Sequence, residues 1–130
     1  MSTNNIKTIA TSDYLAVIET MNAYVEGLRL GKSERVRDAF RDEATMYGFA
    51  AGELVVGGPI SNLYEFVDKG GPAPELVAHL DILSMAPTIA VVRADMEQDS
   101  VGGAYTDFHT LIKQHGQWRI VSKVYHQYGG

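Results

Sequence analysis

Ala104 to His126 reads "AYTDFHTLIKQHGQWRIVSKVYH", and the way these residues pair decides the fold. Two β-rich runs flank "QHGQ", where His115 and Gly116 suit a two-residue hairpin turn because glycine tolerates positive φ. Such a turn sets Gln114 opposite Gln117. In uninterrupted antiparallel register, Leu111 then faces Ile120, His109 faces Ser122, Asp107 faces Val124 and Tyr105 faces His126, all on one side of the hairpin. That side is apolar near the turn (Leu111, Trp118, Ile120) and ionisable at the open end (Tyr105, Asp107, His109, His126). Thr106, Phe108, Thr110, Ile112, Arg119, Val121, Lys123 and Tyr125 fall on the other. An apolar sheet face ending in a few convergent polar groups is how a small-molecule pocket is built. One extra residue in either strand would reverse the parity of one strand against the other.

Upstream, "ELVAHLDILSM" and "TIAVVRADMEQ" are two further β-rich segments, set off by Ala-Pro and "DSVGG" turn signals. Successive strands joined this tightly make an antiparallel meander. The first half of the chain is helical in period. Thr11 or Ser12 can cap a long helix whose Tyr14, Leu15, Ile18, Met21, Val25 and Leu28 share a face, with Gly31 as its stop. Ser33 can cap a short second helix, "SERVRDAF", ending near Arg41. "ATMYGFAAGELVVGG" is broken by glycines into two short strands, and Pro59 opens a third helix with Ile60, Leu63, Tyr64 and Val67 on one face. Helices followed by a run of strands indicate α+β segregation: three N-terminal helices packed on a strongly curved, mainly antiparallel sheet, a cone-like α+β barrel.

The 130 residues, 45% of them hydrophobic, suit a single domain spanning 1–130 with one core, residues 1–11 forming a flexible N-terminus. The absence of cysteine excludes disulfides, thiolate nucleophiles and Cys-ligated zinc. The first residues lack the basic and apolar regions of a secretory signal, and no apolar run is long enough to span a bilayer, so a cytoplasmic location and no membrane partner are expected. With 11 basic against 16 acidic residues the net charge is −5, which speaks against nucleic acid as a partner.

The layout over residues 12–128 resembles the nuclear transport factor 2-like superfamily of cone-shaped α+β barrels, which includes SnoaL-like cyclases and ketosteroid isomerase-like enzymes. Within it, "YTDFHTLIKQHGQWRIVSKVYH" is similar to the closing signature of the putative lumazine-binding family, "YVEGLRLGKSERVRDAF" to its first two helices, and "ATMYGF" to its next strand. Enzymes of this superfamily place an Asp or His base and polar partners inside the cone. The resemblance therefore implies a cavity in which Asp107, His109 and His126 match that habit, and it also favours a homodimer. The same fold hosts enzymes, binding proteins and dimerisation modules.

Three readings follow. In an acid–base enzyme of isomerase, dehydratase or cyclase type, Asp107 abstracts or shuttles a proton, His126 assists, and His109 or Tyr47 polarises the substrate. In a non-catalytic binding module the same groups, with Tyr14, Tyr47, Tyr105 and Trp118, orient a small apolar or heteroaromatic guest. In an interaction module, side chains fill the cone and Asp107 and His109 are satisfied core groups. No short His spacing supports a metal site, and neither metal nor cofactor is expected. The outer residues Phe108, Ile112, Val121 and Tyr125 suit a two-fold dimer packed sheet to sheet.

Overall fold

A computed structural model describes residues 5–129 of the chain. The elements run α1 (Thr11–Leu30), α2 (Ser33–Arg37), β1 (Phe40–Ala50), β2 (Glu53–Pro59), α3 (Ser61–Gly70), β3 (Val77–Met85), β4 (Ile89–Glu97), β5 (Ala104–Gln114) and β6 (Gln117–Tyr128). The strands form one six-stranded sheet in the order β2-β1-β6-β5-β4-β3. Every neighbouring pair is antiparallel except β1 and β6, which run parallel. The expected α+β architecture, with three helices against a curved and mainly antiparallel sheet, is therefore present. The cone does not close on itself, and β2 and β3 are its edges.

The local signals held where the chain had to turn. Gly31 ends α1 in the left-handed region, at φ 67°, and its N–H caps Gly27 and Leu28 carbonyls. His115 and Gly116, at φ 53° and 75°, make the two-residue β5–β6 turn and pair Gln114 with Gln117. The proposed caps do not. Ala10 precedes α1 and Lys32 precedes α2, neither helix has a side-chain cap bond, and α2 stops at Arg37, so Phe40 opens β1.

The expected face of α1 holds at Met21 and Val25, which are buried, but Val17 and Tyr24 join it while Tyr14 and Leu15 at its first turn are exposed. Where α1 meets α2, a Cβ on Gly27 would lie 2.6 Å from the Val36 side chain, so only glycine lets the two helices approach this closely. Helices and sheet share one apolar cluster, in which Val17, Met21, Val36, Val92, Leu111 and Ile120 are fully enclosed.

One irregularity decides which residues enter the cone. Leu111 pairs with Ile120, but Thr110 pairs with Ser122, leaving Val121 as an unpaired extra residue. Beyond this bulge the register is His109 with Lys123, Asp107 with Tyr125 and Tyr105 with Gln127. The expected pairings with Ser122, Val124 and His126 are overturned. Parity in β6 is reversed, so Lys123, Tyr125 and Gln127 face inward and Val124 and His126 face outward.

Candidate functional site

The concave side of the sheet encloses a cavity of about 330 Å³ between α1, α3 and strands β4 to β6, within the range of small-ligand pockets. Its floor is apolar, formed by Leu28, Met46, Leu63, Leu76 and Met96. Phe66 and Val101, both exposed, mark its mouth. Polar groups reach it from Tyr24, Asn62, Asp99, Tyr105, Lys123, Tyr125 and Gln127.

Directly behind this wall lies a buried ionisable cluster. Asp107 and His109, on adjacent inward positions of β5, are both 0% exposed. The Tyr24 hydroxyl donates to Asp107 Oδ2 at 3.0 Å, His109 Nε2 is 3.2 Å from the same oxygen, and Lys123 Nζ stands 3.6 Å from it. Asp107 Oδ1 and His109 Nδ1 have no hydrogen-bond partner among the described residues. The Tyr24 ring lies against both Phe40 and His109, and the Lys123 ammonium sits 4.1 Å from the centre of the Tyr125 ring.

The charge states follow from this arrangement. Burial by itself would raise the Asp107 pKa, but the Lys123 charge and the bonds from His109 and Tyr24 outweigh it, so the carboxyl lies below its usual range. Burial lowers the His109 pKa against the opposing pull of Asp107, leaving a neutral imidazole. A neutral ring donating from Nε2 to the carboxylate leaves Nδ1 unprotonated. Burial likewise lowers the Lys123 pKa, partly offset by Asp107. Burial and the adjacent Asp107 carboxylate push the Tyr24 hydroxyl well above the usual phenol range. The result is one buried carboxylate facing three donors, two of which, Tyr24 and Lys123, also line the cavity.

The sequence-based candidates separate on this geometry. Asp107 and His109 are at the site, but behind the lining residues. Tyr105 lines the cavity near its mouth and accepts a bond from Gln127 Nε2 at 3.2 Å; burial is the main cause of its raised pKa. His126 lies on the outer face, opposite Thr106, with its ring against Phe49 and Tyr128. Tyr47, opposite Val124 on that same face, is exposed, as is Tyr14 on α1. Trp118 is buried away from the cavity, and its Nε1 donates to Asp13 Oδ1 at 3.1 Å alongside Lys113 Nζ at 2.9 Å, tying α1 to the hairpin. His79 and Asp81 form an exposed pair on β3.

Lys123, Tyr125 and Gln127 were not anticipated as site residues, nor was Tyr24 set ahead of Tyr14 or Tyr47. For β6 the one signal in the sequence is the adjacent apolar pair Ile120-Val121, which breaks strict alternation. For Tyr24 it is the helical period continued from Val17 and Met21. Among the described residues, no group of three or more His, Cys, Asp or Glu side chains gathers to hold a metal ion, and no helix is long and apolar enough to cross a membrane.

The family described as putative lumazine-binding matches residues 12–126. Aldolase FrzH of Cladobotryum sp. is 41% identical over 122 residues, covering 94% of this chain and 97% of that protein. A crystal structure of an NTF2-like protein of unknown function from Shewanella baltica OS155 superposes with a TM-score of 0.86 at 34% identity, over 95% of this chain and 100% of the other. A ketosteroid isomerase-like protein from Erwinia carotovora atroseptica shares the fold at a TM-score of 0.67 and 15% identity, over 93% of this chain and 100% of the other.

Proposed function

The chain belongs to the putative lumazine-binding family, with the NTF2-like fold, and on that basis we propose that its cavity binds a small apolar carbonyl compound and enolises it, for aldol-type carbon–carbon chemistry. The observation that carries this reading is the pairing of Tyr24 and Lys123 at the cavity wall with one buried carboxylate, Asp107, behind both. A 41% identical relative named as an aldolase supports the reaction class.

In this reading the Lys123 ammonium polarises the substrate carbonyl, and Tyr24 with Asp107 forms a proton relay. The α-proton passes to the Tyr24 oxygen as the Tyr24 proton moves to Asp107 Oδ2, and the enolate charge forms beside Lys123 in a site of low dielectric. His109 is a positioning residue that orients Asp107. The apolar floor selects a substrate with an aliphatic or aromatic body, and Tyr105 and Gln127 contact its polar end. No role in this chemistry falls to His126, Tyr47 or Tyr14. The outer face, where Phe108, Val124, Tyr47 and Phe49 are exposed in a row across three strands, supports a homodimer packed sheet to sheet.

The test is deuterium exchange at the α-carbons of 4-phenylbutan-2-one in D2O, followed by proton NMR. Wild-type protein accelerates exchange, and Tyr24→Phe loses at least about tenfold of that rate, the usual range for a removed acid–base group being 10²–10⁴-fold. Equal exchange by folded Tyr24→Phe would remove the relay.

A further inference from the structure

Lys123 is the most enclosed of the chain's five lysines: its side chain is 6% exposed and lines the cavity, while Lys7, Lys32 and Lys69 are exposed and Lys113 is half-buried in its pair with Asp13. A lysine held in an apolar wall against a single carboxylate at 3.6 Å has more chemistry open to it than charge stabilisation. We infer that Lys123 is a nucleophile that binds a ketone or aldehyde covalently as an imine, an inference that rests on the carbonyl reading above and deepens it.

Three features support this. The Lys123 side chain lines the cavity, and its Nζ sits 4.1 Å from the ring centre of Tyr125, another lining residue, so a carbonyl bound there lies beside the amine. Burial favours the free amine that must attack, against the opposing pull of Asp107, and Asp107 at 3.6 Å is the group placed to take up the ammonium proton. The Tyr24 hydroxyl, bonded to the same carboxylate oxygen, is placed to exchange protons with the departing oxygen.

The step balances without any oxidant. The amine lone pair forms a C–N bond to the carbonyl carbon while Asp107, through Tyr24, returns its proton to the carbonyl oxygen; the nitrogen then gives one of its own protons to that oxygen, which leaves as water to give the iminium and the Asp107 carboxylate. Loss of the α-proton through Tyr24 to Asp107 converts the iminium to an enamine. The enamine carbon attacks a second carbonyl carbon, forming the C–C bond as the second carbonyl's oxygen takes up the proton held on Asp107 through Tyr24, and water then adds to the regenerated iminium carbon, breaking the C–N bond to release product and free Lys123.

The experiment is incubation of the whole protein with 4-phenylbutan-2-one and sodium cyanoborohydride at neutral pH, with intact-mass analysis and peptide mapping. A single reduced adduct on Lys123, formed ahead of the four more accessible lysines, is expected. Adducts spread over the exposed lysines, or none, would overturn the inference. Lys123→Arg separates the two proposals, because it keeps the cation beside Asp107 yet cannot form an imine. Loss of α-proton exchange in a folded Lys123→Arg protein supports the imine, whereas retained exchange overturns it and leaves the enolising relay standing. If the wild type neither exchanges the α-protons nor forms the adduct, both readings fall.

Discussion

Replacing Asp107 by Asn changes one atom and removes the charge that balances Lys123. In the native protein that lysine is enclosed beside a carboxylate 3.6 Å away. Without the carboxylate it must either remain a buried unpaired cation, a loss of about 3–5 kcal/mol when one partner of a buried pair is removed, or give up its proton. Deprotonation sets a ceiling on the damage. Taking a lysine from its unfolded pKa of about 10.4 to the neutral form costs about 4–5 kcal/mol at pH 7 but only about 2 kcal/mol at pH 9, at 1.36 kcal/mol per unit. The sign follows from linkage: the Lys123 pKa in the folded variant lies below its unfolded value, so the unfolded state binds more protons and stability rises with pH up to about 10. Asp107→Asn should therefore unfold in urea about 3–5 kcal/mol more easily than the wild type at pH 7, and the gap should narrow by about 2 kcal/mol or more at pH 9. A gap that is small and independent of pH would show that Lys123 is not enclosed beside Asp107, and the inward parity of β6 would fail with it.

Other outcomes follow from the same geometry. His126→Ala, altering a ring on the outer face, should leave α-proton exchange unchanged and shift stability by no more than about 0.5 kcal/mol, as is usual for surface sites; loss of exchange on titration with substrate would return His126 to the cone. Asp13 has its pKa lowered by bonds from Lys113 and Trp118, so its contribution is present above the unfolded carboxylate pKa and is lost as pH falls through the folded value. Asp13→Asn should accordingly flatten the acid side of the stability profile measured by thermal melts, and an unchanged profile would contradict the anchor. Phe108→Glu, at an exposed position on β5, should convert a dimer to a monomer in light scattering without loss of helical circular dichroism, and a protein that is monomeric before substitution would refute the sheet-to-sheet interface.

The architecture was legible because its determinants are local. Gly31 and the His115-Gly116 turn fix where chain segments stop and reverse, and four β-rich segments at short spacing leave little choice but a meander. The turn even gave the pairing as far as Leu111 and Ile120. The site was half legible for the opposite reason. Asp107, His109 and Tyr105 lie on β5, whose alternation is unbroken, so their inward direction could be read. On β6, the bulge at Val121 reverses every later side chain, exchanging the expected His126 for Lys123, Tyr125 and Gln127. Nothing local requires a bulge there; what it achieves, bringing a lysine to within 3.6 Å of a carboxylate on the next strand, is a tertiary result. The close approach of Gly27 to Val36 is similar, since it involves a second helix.

Carbonyl chemistry, if it takes place in this protein, takes place where Tyr24 and Lys123 meet the cavity. Its most direct test is the rate of α-proton exchange of 4-phenylbutan-2-one, measured by NMR for the wild type, Tyr24→Phe and His126→Ala under one set of conditions. The wild type should exchange, His126→Ala should match its rate, and Tyr24→Phe should lose at least about tenfold. Exchange that survives in Tyr24→Phe but disappears in His126→Ala would contradict this placement.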